Sequence, residues 1–326
     1  MVWIVGIGLI TALTVAAGLD SIIQVMASMD PFLLMGFLTF MCAFQMITIS
    51  LTAYQWFHLM RSEVPSLRFK DVLTIHLAGG FVESVTPSSK LGGEAAKVYL
   101  FRKRTGIGYN RITSYMLAHK YFSLLPFLFL CLLLISVASF TYHVPGIVLV
   151  SFGFLTILMA ALVLLIHRRP TDRDPVTGRM PRLGPALCYV RKAACEVRGL
   201  TDARDRLLLF SLSFMVWGLY PFKIYLTAMV LGVELGLGLV VMATFAAYLV
   251  SMLPLTPGGL GTFEGSMALI LSVNGVPFAA GVGIALTARL FIFWFPLMVS
   301  AIAAMSVMGH IEGRKTDPSS SETDGA

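Results

Sequence analysis

Charge is what this sequence has least of. Asp, Glu, Lys and Arg make up only 13% of its 326 residues, against 57% hydrophobic residues, and that balance excludes a water-soluble domain of this size. Cysteine is scarce as well. Cys42, Cys131, Cys188 and Cys195 form no CxxC and no paired spacing, so neither a zinc site nor a disulfide framework is expected. There is no Walker loop, no HExxH, no pair of metal-ligand aspartates and no Ser/His/Asp set that can be placed together, which leaves no recognisable catalytic, metal or cofactor motif.

What is present is long apolar runs. Met1 to Leu19, Phe32 to Leu59 and Val144 to Ile166 each reach the roughly 20 residues that cross a hydrocarbon core. The first run ends on Val15-Ala16-Ala17, loosely like a signal-cleavage site, but no Lys or Arg precedes it, so it is read as a retained helix.

The net charge of +7 would suggest nucleic acid in a soluble protein; here its distribution reports topology, and no nucleic-acid partner is expected. Of the 24 basic residues, 19 fall in 61–71, 102–111, 168–206 and the tail, which the positive-inside rule makes cytoplasmic. Loops at 20–30, 140–144 and 233–237 carry none and face out. Six transmembrane helices follow, at about 1–19, 32–60, 112–139, 144–167, 207–231 and 278–305, with both termini cytoplasmic. Residues 1–308 form a single transmembrane domain of a multi-pass plasma-membrane protein, and 309–326 a disordered tail. In the basic loop 168–206, Leu187, Val190, Ala194 and Val197 recur at helical spacing, suiting an amphipathic helix on an anionic leaflet.

Two segments are left over, 68–101 and 237–274, and each must begin and end on one side. Their centres align without a gap. Thr86-Pro87-Ser-Ser-Lys-Leu-Gly-Gly-Glu94 matches Thr256-Pro257-Gly-Gly-Leu-Gly-Thr-Phe-Glu264, a Thr-Pro step with a glutamate seven residues after the proline. Proline ends one helical arm, glycines permit a tight turn, and the next arm opens with free N–H groups suited to an anion. The expected fold is therefore all-α: six transmembrane helices plus two oppositely oriented re-entrant helical hairpins in an inverted repeat, with the two turns meeting because irregular backbone in lipid needs protein or water around it.

With the positive-inside residues set aside, Lys90, Lys97, Lys120, Lys223 and Arg289 remain, with Glu83, Glu94 and Glu264 as the matching acids. Each ionisable group near the bilayer centre costs on the order of 3 kcal/mol, so they must pair or face water. Glu94–Lys97 and Glu264–Arg289 are the expected pairs, while Lys97 or Lys223 can instead snorkel. The cationic excess at the hairpin tips points to an anionic ligand held by Thr86, Lys90, Glu94, Lys120, Thr256, Gly258, Gly259, Glu264 and Arg289. Glu83, Glu94 and Glu264 are candidates for proton or ion coupling; His76 and His119 are weaker ones.

Gly79-Gly80-Phe-Val-Glu-Ser-Val-Thr-Pro87 through Gly92-Gly93-Glu94-Ala-Ala-Lys97, and Leu253-Pro254-Leu-Thr-Pro257-Gly-Gly-Leu-Gly261-Thr-Phe-Glu264-Gly followed by Gly275-Val276 and Arg289, resemble the transmembrane region of the lysylphosphatidylglycerol synthetase/flippase family over nearly the whole chain. The resemblance implies transfer of a phospholipid between leaflets, with a basic residue at Lys120, whereas Ser88-Ser89-Lys90 departs from the family's Gly-rich turn. The synthetase activity belongs to a separate soluble domain of two-domain members and is not expected here. The leading expectation is a lipid translocase, a flippase or scramblase for an anionic, phosphate-bearing membrane lipid. An intramembrane enzyme acting on lipid phosphates, or a scaffold for a separate lipid-modifying enzyme, is the alternative.

Overall fold

The computed structural model describes residues 30–86, 90–138, 140–143, 146–167, 202–253 and 256–313. The first apolar run, the turn residues Pro87 to Ser89 and nearly all of the basic loop lie outside them.

Every described element is helical: α1 (Pro31–Met60), α2 (Phe69–Val85), α3 (Lys90–Thr105), α4 (Tyr109–Ala138), α5 (Gly146–His167), α6 (Ala203–Val230), α7 (Leu237–Ser251), α8 (Thr262–Ser272), α9 (Phe278–Arg289) and α10 (Phe295–Gly313). Among the described residues, four stretches are long and apolar enough to span a bilayer: Pro31–Met60, Tyr109–Leu133, Ala203–Val230 and Phe278–Val307. Asp30 caps α1, its carboxylate accepting from the Phe32 and Leu33 amides at 2.8 and 3.2 Å. By contrast α2, α7 and α8 have only 17, 15 and 11 residues, about 16 to 26 Å at 1.5 Å per residue, which falls short of a 30 Å core.

Side-chain ties sort the loops between two ends of the bundle. At one end, Arg104 near the close of α3 binds Asp71 at the start of α2 at 2.8 Å. Arg111 binds Glu63 at 2.7 Å, and His58 binds Asp205 at 2.8 Å. At the other end, the His143 amide donates to Asn274 Oδ1 at 2.9 Å, and the Tyr142 ring packs on Gly238. So α2 and α3 share their feet with the basic loops, and α7 and α8 share theirs with loops that lack basic residues.

The pairs are knitted across the halves. Helix α2 packs on α3, α1 and α10; α7 packs on α8, α6, α4 and α5. Small residues set the spacing. A methyl on Gly93 would stand 2.7 Å from the Gly79 carbonyl oxygen, and one on Gly281 would stand 2.8 Å from Ala268 Cα, so these backbones meet where no other residue fits. Helix α6 carries Pro221 and α4 carries Pro126 inside their spans.

Three sequence expectations change. The last span is not one regular helix, since a π turn, Leu290–Trp294, separates α9 from α10 directly after Arg289. Helix α10 continues to Gly313, past residue 308. And the snorkelling alternative fails for Lys223, which is 0% exposed, as it does for Lys97, which is 4% exposed and keeps the expected pair with Glu94 at 3.0 Å.

Candidate functional site

The second turn is built around three glycines. Gly258, Gly259 and Gly261 have φ of 60°, 67° and 79°, a region that costs any residue with a Cβ. A side chain at Gly258 would also enter the ring of Phe293. Arg289 staples the turn from α9, donating from Nη1 to the Gly258 carbonyl at 3.0 Å and from Nη2 to the Gly259 carbonyl at 2.7 Å. Its Nε stands 3.0 Å from Glu264 Oε1, an ionic contact turned away from hydrogen-bond geometry. The guanidinium is stacked near Phe263 and Phe293, at 4.6 and 5.2 Å. The π turn follows Arg289 in the chain and brings Phe293 to this tip; such turns often mark functional sites.

The helix N-terminus expected to be open to an anion is already occupied here. Glu264 Oε2 accepts from the Gly261 amide at 2.7 Å, so the chain's own carboxylate sits where a ligand anion would bind. Thr256 Oγ1 lies 3.4 Å from Thr262 Oγ1.

The first hairpin carries a matching arrangement. Glu94 on α3 receives Lys97 at 3.0 Å and Lys120 from α4 at 2.7 Å, both on Oε1. Lys97 also faces Glu83 at 3.7 Å. Lys120 follows Glu94 by 26 residues and Arg289 follows Glu264 by 25. Each second arm thus presents a glutamate to a cation on the helix that follows it, a correspondence visible in the spacing alone.

Between the two hairpins lies a cavity of about 330 Å³, at the small end of ligand sites. His76, Gly80, Glu83 and Ser84 of α2 form one wall, and Thr256, Gly258, Gly259 and Phe263 of the second tip face them. Tyr220 of α6, Tyr248 of α7, Arg289, and Ser300 of α10 complete it. Tyr248 Oη is buried with no hydrogen-bond partner among the described residues.

The expected site residues therefore fall into three groups. Glu83, Thr256, Gly258, Gly259 and Arg289 line the cavity; Glu94 and Lys120 lie in the adjoining ion cluster, reached through Glu83 and Lys97. Glu264 supports Arg289 from behind. Thr86 turns its hydroxyl back to the Val82 carbonyl at 2.8 Å and closes α2, and the Lys90 side chain lies outside the described residues. Sequence reasoning missed Tyr248 and Tyr220, aromatic residues in apolar helices without local signal, and underrated Lys97. No group of three His, Cys, Asp or Glu with metal-binding geometry occurs among the described residues.

A family model described as the lysylphosphatidylglycerol synthase TM region matches residues 3–300. A UPF0104 membrane protein of Methanothermobacter thermautotrophicus is 22% identical over 93% of each chain. One from Pyrococcus horikoshii is 23% identical over 93% of this chain and 95% of its own, and one from Methanocaldococcus jannaschii 24% identical over 94% of both.

Proposed function

The chain belongs to the lysylphosphatidylglycerol synthase TM-region family, a membrane lipid-related family, and we propose that it is a lipid translocase moving an anionic, phosphate-bearing lipid between leaflets. In this reading α2/α3 and α7/α8 are re-entrant hairpins entering from opposite faces, and the two helix–hairpin–helix units are an inverted repeat that rocks about a midplane site. The membrane is the plasma membrane, with both termini on the cytoplasmic side.

The observation that carries the reading is the cavity between the hairpins. It is bounded by Arg289 and by Glu83, which connects it to Lys97, and it suits a small charged headgroup while the acyl chains stay in lipid. Short broken helices meeting across such a cavity are what midplane transporter sites use. The chain is not a synthetase in this reading, and recruitment of a separate lipid-modifying enzyme through the basic loop 168–206 belongs to the scaffold alternative.

Reconstitution tests it. Purified protein in liposomes should exchange a fluorescent anionic lipid between leaflets faster than a neutral one. Gly80→Phe, which places a ring in the cavity opposite Ser300, should abolish the exchange while the protein still folds. Folded wild-type protein that exchanges no lipid would sink the reading in favour of an enzyme or scaffold.

A further inference from the structure

The ion cluster of the first hairpin holds more hydrogen-bonding capacity than its carboxylate uses. Glu94 is 5% exposed; its Oε1 takes both lysines while Oε2 has no partner among the described residues. Beside it, His119 is also 5% exposed, with both ring nitrogens unpartnered, within electrostatic reach of Glu94, Lys97 and Lys120. The His119 ring lies 5.1 Å from that of Trp56, which is fully buried and whose indole N–H is likewise unpartnered. Buried polar atoms without partners are rare in folded proteins, and four around one ion cluster mark a place for a polar guest.

The donors define the guest. Both ammonium groups share Glu94 Oε1 while the indole N–H and the imidazole nitrogens are unpartnered; a tetrahedral phosphate, with three or more acceptor oxygens, can take up donors that Glu94 as placed leaves unused. We infer that Lys97 and Lys120 form a phosphate-binding site that Glu94 fills as a built-in stand-in and vacates when a phosphate-bearing headgroup arrives. Glu83, 3.7 Å from Lys97 and lining the cavity, marks the way in. The inference rests on the translocase reading for the origin of the headgroup, and the site itself is tested without transport.

Phosphate binding is measured on purified protein in nanodiscs, in one arm with inorganic phosphate and neutral lipid, in the other with phosphatidate as the only anionic lipid. Glu94→Gln removes the competing carboxylate and should bind roughly tenfold more tightly than wild type, the scale of one lost charge-assisted contact. Glu94→Asp, with a retracted carboxylate, should fall between them, and Lys120→Gln should not bind. A response to either source supports the site, and one to phosphatidate alone identifies a lipid headgroup as its occupant. If Glu94→Gln does not fold, Glu94→Asp decides. Affinity unchanged in the folded Glu94 variants overturns the inference. Binding without leaflet exchange would remove the translocase reading and leave the site; exchange without binding would do the reverse.

Discussion

Lys223 is the side chain whose position the sequence least foretold. It is fully buried, with Gln45 Oε1 at 2.5 Å and Thr48 Oγ1 at 2.7 Å, and its ammonium lies 4.8 Å from the Tyr220 ring centre. Its contacts are all with neutral groups. An ammonium held this way keeps most of its desolvation cost, but removing it alone leaves the buried Gln45 oxygen without a donor, whereas replacing the interacting groups together by apolar residues of similar volume is often neutral or stabilising. Lys223→Met is therefore expected to lower the thermal midpoint in detergent, and Lys223→Met with Gln45→Leu to recover it; a double variant no better than the single one would contradict this. Arg289 is the opposite case. Its two carbonyl acceptors and Glu264 need a planar fork, which lysine does not supply. Arg289→Lys should cost about 2 kcal/mol or more, the penalty of leaving a buried charged partner unsatisfied, read as a lower thermal midpoint. Nothing in the sequence around residue 223 separates a fully buried lysine from one at a helix end, because a lone Lys in an apolar run reads the same in both. Arg289, by contrast, was legible, since Glu264 was the acid that matched it.

At the scale of elements, glycine contacts hold the first hairpin together. Gly93→Leu should drive α2 and α3 apart, because even a methyl there meets the Gly79 carbonyl oxygen and the Glu83 side chain. Overpacking of this kind costs about 1–3 kcal/mol or more, so a normal melting profile for the variant would refute the close approach. The loop 61–68 is tied down by Glu63, which binds Arg111 at 2.7 Å and accepts from the Tyr115 hydroxyl. Burial pushes the Glu63 carboxyl up, but hydrogen bonds from Tyr115 and Arg111 and the charge of Arg111 together bring it below its ordinary value. A carboxylate held low stabilises the fold above its unfolded value, near 4.3, and that contribution is lost as pH falls through the folded value. Glu63→Gln should lower the thermal midpoint at pH 7, where that contribution is fully present, and converge on wild type as pH falls below about 4.3, so that its acid limb is flatter; a difference from wild type that does not change with pH would contradict it. The helical elements were readable because apolar length and Thr-Pro steps are local. The π turn after Arg289 was not: it sets Phe293 against Gly258, 35 residues earlier in the chain, a contact that no local pattern announces.

For the whole molecule, the paired glutamate and cation in each half were available in the spacing, but the cavity that Arg289 shares with Tyr220, Tyr248 and Ser300 arises only when α6, α7 and α10 close on one another. Translocation by this route requires the hairpins to move against the opposite half. Gly80 of the first hairpin and Ser300 of α10 meet at the cavity wall, a Cβ at Gly80 standing 3.5 Å from Ser300 Oγ, so cysteines at the two positions can be cross-linked. The deciding measurement is leaflet exchange by Gly80→Cys/Ser300→Cys, in a background with Cys42, Cys131, Cys188 and Cys195 replaced, before and after reduction. Exchange of the anionic lipid that is blocked when the pair is oxidised and restored on reduction is the predicted result. Equal exchange in both states, with the disulfide shown to have formed, would contradict a pathway opened by movement of the first hairpin.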